Sequence, residues 1–405
     1  MSRQGANLTA TGVLTPSGLA EVSSEAVLAD VARMIRHAFA GTPEGVADWL
    51  RVAGRENLRV RLESGRAVAT LLRVPMGMFL GGASVPMVGV AGVAVAPEDR
   101  GRGHGKSLMT EFVRGLHDEG VAISGLFAST QTLYRGVGYE QAGVWCEHVV
   151  PLNRIDVRGH GQPLVPLDDS DMPAVRECYT RFARMQNGML DRGPYIWARV
   201  RKFREKEYHG FGLRSASGSL LGYVFLHQDR QPDGRQRILL TDLVFSDLAA
   251  GRRLLAFLAD YEMMGHDMVL CGGPTHPALF LLNQQRFQTT VRERWFVRVT
   301  HVQRALAARG YAPGIESDCE FEIDDPLIER NRGPWAVRVR DGRASVERVD
   351  RAVCVLDIRG VAPLLTGWMS PEQLRLVGLA SGEDAALARI GTVFSGATPA
   401  MTEMF

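Results

Sequence analysis

Apolar residues at Val27, Leu28, Val31, Met34, Ile35 and Phe39 recur at the spacing of one helical face, which predicts an amphipathic helix followed by a second short helix ending near Trp49. From residue 58 the period changes to that of strands. Residues 58–62 turn at Glu63-Ser64-Gly65 into 67–74, and Gly81-Gly82 turns the chain into 85–96, as in β-hairpins. Val93 and Val95 alternate into a glycine-rich turn, after which Leu108, Met109, Phe112, Val113 and Leu116 share a helical face until Gly120 ends it. The apolar run 121–127 reads as a buried strand. Strand, turn, helix and strand within about forty residues is the span of a parallel crossover.

The same order repeats more faintly downstream. A helix within 163–182, a hairpin over 211–226 turning at 215–219, a strand over 238–245 and a helix over 248–261 precede the apolar Met268-Val-Leu-Cys. Between Phe245 and Leu254 this copy holds Gly251 alone, where the first copy has three glycines, so it is expected to lack an anion cradle and to serve packing. After Thr300, strands at 321–323, 336–340, 345–349 and 353–358 precede helices around 361–365, 371–377 and 383–394, which predicts a further α+β unit. Residues 395–405 are nonperiodic and end on Phe405.

A length of 405 residues exceeds a single core and predicts several domains. The formal net charge of +2 argues against a nucleic-acid surface, so any attraction for a polycation must be local. Cys146, Cys178, Cys271, Cys319 and Cys354 are odd in number and scattered, with no C-x-x-C pair, and read as reduced thiols without a zinc site. No metal is expected. Residues 1–17 have neither a basic nor an apolar leader region, and no run of eighteen apolar residues occurs, so no membrane partner is expected and the location reads as cytoplasmic.

The candidate chemistry lies in Val93-Ala-Val-Ala-Pro-Glu-Asp-Arg-Gly-Arg-Gly-His-Gly-Lys106. Gly101, Gly103 and Gly105 leave backbone N–H groups bare at a helix N-terminus, where the dipole and unpaired donors favour phosphate. A nucleoside-triphosphate loop is excluded because the glycine it needs is Arg100, and a dinucleotide fingerprint because its third glycine is Lys106. Arg100-x-x-Gly103-x-Gly105 instead resembles the pyrophosphate loop of the GNAT superfamily of N-acetyltransferases. The segment Ala128-Ser-Thr-Gln-Thr-Leu-Tyr-Arg-Gly-Val-Gly-Tyr139 resembles the part of that superfamily that carries a tyrosine to the thioester sulfur.

Two such copies, the second without its loop, then a strand-and-helix unit and an aromatic C-terminus, are similar to the enhanced intracellular survival (Eis) family of bacterial acetyltransferases. Thr241-Asp-Leu-Val244, residues 298–311, Asp325-Pro-Leu and Gly333-Pro-Trp335 add to the likeness. The resemblance implies an α+β protein with a flexible 1–16 extension, a catalytic GNAT fold over 17–152, a degenerate one over 153–299 and a sterol-carrier-like domain over 300–405. It also implies acetyl-CoA as cosubstrate, a homohexamer, and small-molecule primary amines as acceptors, aminoglycosides and lysine side chains among them. Backbone groups of Val93, Ala94 and Val95 would pair with the pantetheine arm, Gly101, Arg102, Gly103, His104, Gly105 and Lys106 would hold the pyrophosphate, and Ser129 and Thr130 would line the cofactor. Tyr134 would be the general acid and the terminal carboxylate of Phe405 the base.

For the amine pocket, Phe39, Trp49 and Glu403 are candidates, with Asp48, Met76 and Met78 by position. Glu403 would add negative charge to attract a cationic substrate. A competing reading is a noncatalytic CoA- or lipid-binding sensor or carrier. An intact Tyr134 beside an intact loop favours catalysis.

Overall fold

The computed structural model describes residues 19–159 and 161–405; the 1–16 extension lies outside the described residues. The first helix, Glu25–Phe39, starts where the Ser24 side chain accepts from the Val27 amide, and its apolar stripe buries Val27, Val31, Met34 and Ile35. Thr42 caps the second, Pro43–Ala53, which runs one turn past Trp49. The hairpin strands are Leu58–Glu63, Arg66–Leu80 and Ala83–Val95, so the second strand continues beyond 74 to pair along the whole of the third.

Among the described residues the two acetyltransferase-like copies share one sheet of 13 strands. Its centre is a reciprocal exchange. The last strand of the second copy, Gln288–Val299, lies between Ile123–Phe127 and Glu140–Pro151 of the first, while Glu140–Pro151 also pairs with Gly265–Gly272 of the second. Trp295, Phe296, Val297 and Val299 on the exchanged strand are all essentially inaccessible, and they fill the core of the first copy. Burying side chains of this size contributes roughly 1.5–3 kcal/mol each, so neither copy completes its core alone.

The last unit has a five-stranded sheet with Ser317–Asp324 at its centre and the helix Asp384–Val393 packed on it. Its helix Ile358–Thr366 packs on both exchanged strands. Arg298 and Asp325, both wholly buried, join the exchanged strand to this unit through Nη2 bonds of 2.8 and 2.7 Å. From Ser395 the chain has no regular structure, yet Ala400 and Met401 are buried, so it packs as a strap. No helix of the described residues is long and apolar enough to cross a membrane.

A fragment ending at residue 159 should express as an unfolded or aggregating chain, because Ile123–Phe127 and Glu140–Pro151 lose the strand between them. Co-expression with residues 161–405 should restore a soluble complex. A well-dispersed amide spectrum from the isolated fragment would disprove this dependence.

Candidate functional site

Strand Ala83–Val95 runs beside Ile123–Phe127 through Met87–Val90 and then diverges. Its register with the preceding strand slips just where Gly92 takes φ 57°. A Cβ there would lie 2.8 Å from the Trp49 ring, so glycine is required on both counts. Past this bulge, Val93, Ala94 and Val95 keep one backbone edge free for an extended ligand. The next helix, His104–Asp118, starts at Gly103 in the left-handed region with no side-chain cap, and a Cβ on Gly101 or Gly103 would meet nothing within 4 Å. Bare amides at a helix N-terminus, facing open space, fit a pyrophosphate.

The second copy differs at this point. Its helix Leu248–Ala259 is closed by Asp247, whose carboxylate accepts from the Ala250 amide at 2.8 Å. A carboxylate already occupies the place an anion would take. Around the first loop, Arg102 is drawn to Asp99 at 3.1 Å, and His104 turns inward to within 3.6 Å of Glu63. His104 can therefore offer a ligand its main-chain amide but not its ring. Lys106 is exposed on the first turn of the helix.

Tyr134 sits on the short helix Gln131–Arg135, its side chain buried and edge-on to Tyr139 at 6.1 Å. Burial raises its pKa, and its interaction with Ser129 opposes part of that rise. The phenol stays protonated through neutral pH, as a general acid must. Ser129 and Thr130 are exposed at the entrance to this helix. A cavity of about 230 Å³ brings together Val93, Ser129, Tyr134, Phe39 and Phe405.

Phe405 reaches this cavity because the strap runs back from the last unit into the first. The Ala400 amide donates to the Asn187 carbonyl at 2.7 Å, and Trp145 Nε1 donates to the Thr402 carbonyl at 3.1 Å. The Phe405 ring meets Phe127 edge-on at 5.6 Å. It also lies where a Cβ on Gly89 would approach within 2.7 Å.

The structure corrects the expectation that Glu403 attracts a cationic substrate. Its Oε1 receives Arg192 Nε and the Tyr179 hydroxyl, the latter at 3.3 Å. Arg192 is also bidentate to Asp242, at 2.7 and 2.5 Å, and its guanidinium lies 3.7 Å over the Tyr179 ring. Tyr223 donates a further bond to Asp242 at 2.9 Å. Glu403 lines neither cavity that reaches Phe405; one guanidinium, Arg192, holds it together with Asp242, and the Glu403 charge also acts on Arg199, so its role is to anchor the chain two positions before the terminus.

A separate cavity of about 600 Å³ shares Phe39, Ala91, Gly92 and Phe405 with the first. Trp49 and Asp48 line it, and Trp49 Nε1 donates to Tyr195 Oη at 3.1 Å. Met76 and Met78 do not line it; Met78 is core. Sequence reasoning missed the far wall, which comes from the second copy: Tyr195 and Arg199 on the helix Pro194–Arg201, then Lys202 to Glu205. A Gly193-Pro194 helix start leading into aromatic residues was visible, but nothing local says that this helix faces the first copy.

Models of GNAT acetyltransferase domains match residues 22–142 and 188–299, and a sterol carrier protein domain model matches residues 302–402. An uncharacterized N-acetyltransferase of Streptomyces griseus is 28% identical over 375 residues, covering 85% of this chain and 88% of that protein. The N-acetyltransferase Eis of Mycobacterium tuberculosis is 26% identical over 345 residues, covering 78% of this chain and 80% of that one. Among solved structures, a GCN5-related N-acetyltransferase from Anabaena variabilis superposes with a TM-score of 0.90 at 29% identity, covering 95% of this chain and 98% of that one.

Replacing Glu403 by glutamine keeps its volume and releases Arg192 to Asp242 alone. The variant should fold, bind acetyl-CoA with little change in KM, and lose about tenfold or more in kcat as the terminus shifts. Arg192→Ala strands Asp242 without a counter-ion and should cost about 3–5 kcal/mol of stability. Thermal melting and thiol-release kinetics separate the two effects, and a wild-type kcat in Glu403→Gln would show that the strap needs no such anchor.

Proposed function

We propose, from the premise that this chain belongs to the Eis family of GNAT N-acetyltransferases, that it transfers the acetyl group of acetyl-CoA to a primary amine by direct attack within a ternary complex. The observation that carries this reading is the meeting of Tyr134, the free edge at Val93 and the C-terminal Phe405 around one cavity. Acetyl-CoA supplies the thioester. Gly101 to Lys106 would hold its pyrophosphate through main-chain amides, and Val93 to Val95 its pantetheine arm.

Tyr134 gives its phenolic proton to the departing thiolate, and the Phe405 α-carboxylate takes a proton from the amine. A free α-carboxyl titrates near ~3.5 and an alkylammonium near ~10.4, so the carboxylate works here through desolvation or a relaying water. Aminoglycosides and lysine side chains are the acceptors the family implies, and the homohexamer rests on the family alone. The acceptor cavity itself weighs toward a different amine, as argued below.

Tyr134→Phe should lower kcat by about 10²–10⁴ with little change in KM for acetyl-CoA. In the wild type the alkaline limb of kcat should lie above the ordinary phenol range, since burial favours the protonated form. Thiol release from acetyl-CoA measures both. Activity within a few-fold of wild type in the phenylalanine variant would assign the proton to water instead.

Amidation of Phe405, installed by semisynthesis, changes charge and almost no volume. It should depress kcat by a comparable ~10²–10⁴ while leaving the melting temperature in place. An amidated enzyme that turns over at the wild-type rate would remove the terminal carboxylate from the reaction.

A further inference from the structure

The acceptor cavity is lined by three cationic side chains, Arg199, Lys202 and Arg204, and by two side-chain carboxylates, Asp48 and Glu205, with the C-terminal residue Phe405 at its inner end. Asp48 is already engaged, by Arg51 at 2.7 Å and Lys202 at 3.6 Å, and these partners hold its pKa below the ordinary range. Glu205 is exposed, where solvent and salt screen it. Arg199 is different. It is partly buried, 5.3 Å from the Tyr195 ring and 4.5 Å from the Phe203 ring, and its one hydrogen bond among the described residues is to Tyr195 Oη at 3.4 Å. Glu403 attracts it from a distance, but among the described residues no carboxylate is hydrogen-bonded to it or within ion-pair reach. A guanidinium carries five donors and cannot discard its charge, so a partly desolvated one with no anion on its donors can still bind one directly.

The rest of the wall is apolar. Ile35, Phe39, Val46, Trp49, Val52 and Phe203 line the cavity, and the indole N–H of Trp49 is already bonded to Tyr195. A polyhydroxylated polycation would lose hydrogen bonds against these surfaces and meet like charge at the partly buried Arg199. An amine with an apolar body and an anionic group at its far end meets the opposite situation. Its ammonium would approach Phe405, its body would lie along the aromatic wall, and its anion would complete Arg199.

Building on the acetyltransferase reading of the same cavity, we propose that the acceptor is a zwitterionic primary amine, an apolar body with a carboxylate or phosphate group remote from the amine, and that Arg199 binds that group. Arg199 acts in specificity and takes no part in the proton transfers. Lys202, already held by Asp48, contributes less.

Four probes of known structure test this: octylamine, 8-aminooctanoic acid, 8-aminooctyl phosphate, which separates carboxylate from phosphate, and the aminoglycoside kanamycin. In the wild type, kcat/KM for at least one of the two anionic probes should exceed that for octylamine and for kanamycin by tenfold or more. In Arg199→Gln the ratio of anionic probe to octylamine should fall to near one. Arg199→Lys, which keeps the charge but loses the planar fork, should give an intermediate ratio, and Lys202→Gln should change it less than Arg199→Gln does. Equal or better use of octylamine or kanamycin by the wild type, or a ratio that survives Arg199→Gln, would overturn the proposal while leaving amine acetylation standing.

Titration calorimetry of the same probes into the acetyl-CoA-free protein gives a readout independent of turnover. Tighter binding of an anionic probe than of octylamine, lost in Arg199→Gln, would support the pocket assignment even if no probe were acetylated. In that case it is the acetyltransferase reading that fails. Absence of any such difference, in binding and in turnover alike, would overturn the assignment of Arg199.

Discussion

The arrangement at the reacting centre depends on one buried ion network, Arg192 between Asp242 and Glu403. Both carboxylates approach a guanidinium whose side chain is almost wholly excluded from solvent, and the tyrosines Tyr179 and Tyr223 supply further bonds. Burying three charges is expensive, and such a network is weak evidence for stability in itself. Its value is positional. A chain terminus is ordinarily the most mobile part of a domain, and fixing Glu403 leaves two residues between a rigid anchor and the terminal carboxylate. Asp242 and Arg192 belong to the second copy, so a copy whose loop is closed by Asp247 still helps to place the C-terminus beside Tyr134 of the first.

The exchanged strands explain why that service is possible. Because Gln288–Val299 completes the first copy and Glu140–Pro151 is shared, the two copies are parts of one sheet. The helix Pro194–Arg201 and strand Gln236–Phe245, which carry Arg192's neighbours and the acceptor wall, therefore keep a fixed place relative to Tyr134. The strap then needs a channel, and glycines provide it. A Cβ on Gly188 would lie 2.6 Å from the Ala400 carbonyl oxygen, and one on Gly273 2.6 Å from the Ala400 Cβ. Near the end of the path, Gly89 leaves room for the Phe405 ring.

How much of this was legible in the sequence follows the range of the interactions. The phosphate loop, its helix and Tyr134 are local: glycine spacing, a helical stripe and a short motif lie within fifty residues, and each element forms where its pattern predicts. The closure of the second loop was read from missing glycines, though the agent, Asp247, was not. Strand exchange left no trace in the pattern: the consecutive Trp295-Phe-Val marks a strand buried on both faces, but nothing in it says which copy the strand joins. Thr241-Asp-Leu-Val244 was noticed only as a likeness; that Asp242 grips Arg192 requires knowing which strands are neighbours. Glu403 was misread for the same reason, because its partner lies more than two hundred residues away.

The same division bears on specificity. The half of the site that fits the cofactor is built of backbone, amides at Gly101 to Lys106 and a free strand edge at Val93 to Val95, so side-chain substitution there has little with which to alter recognition. The half proposed to meet the amine is built of side chains drawn from two copies, with Arg199, Lys202 and Phe203 on a segment outside the ladder that holds the sheet together. Charge on that segment can change sign without disturbing the phosphate loop, the acid or the strap. A chain of this architecture can therefore keep one reaction and exchange a pocket for polycations for one suited to anions, and the local signature of the reaction carries no information about which pocket accompanies it.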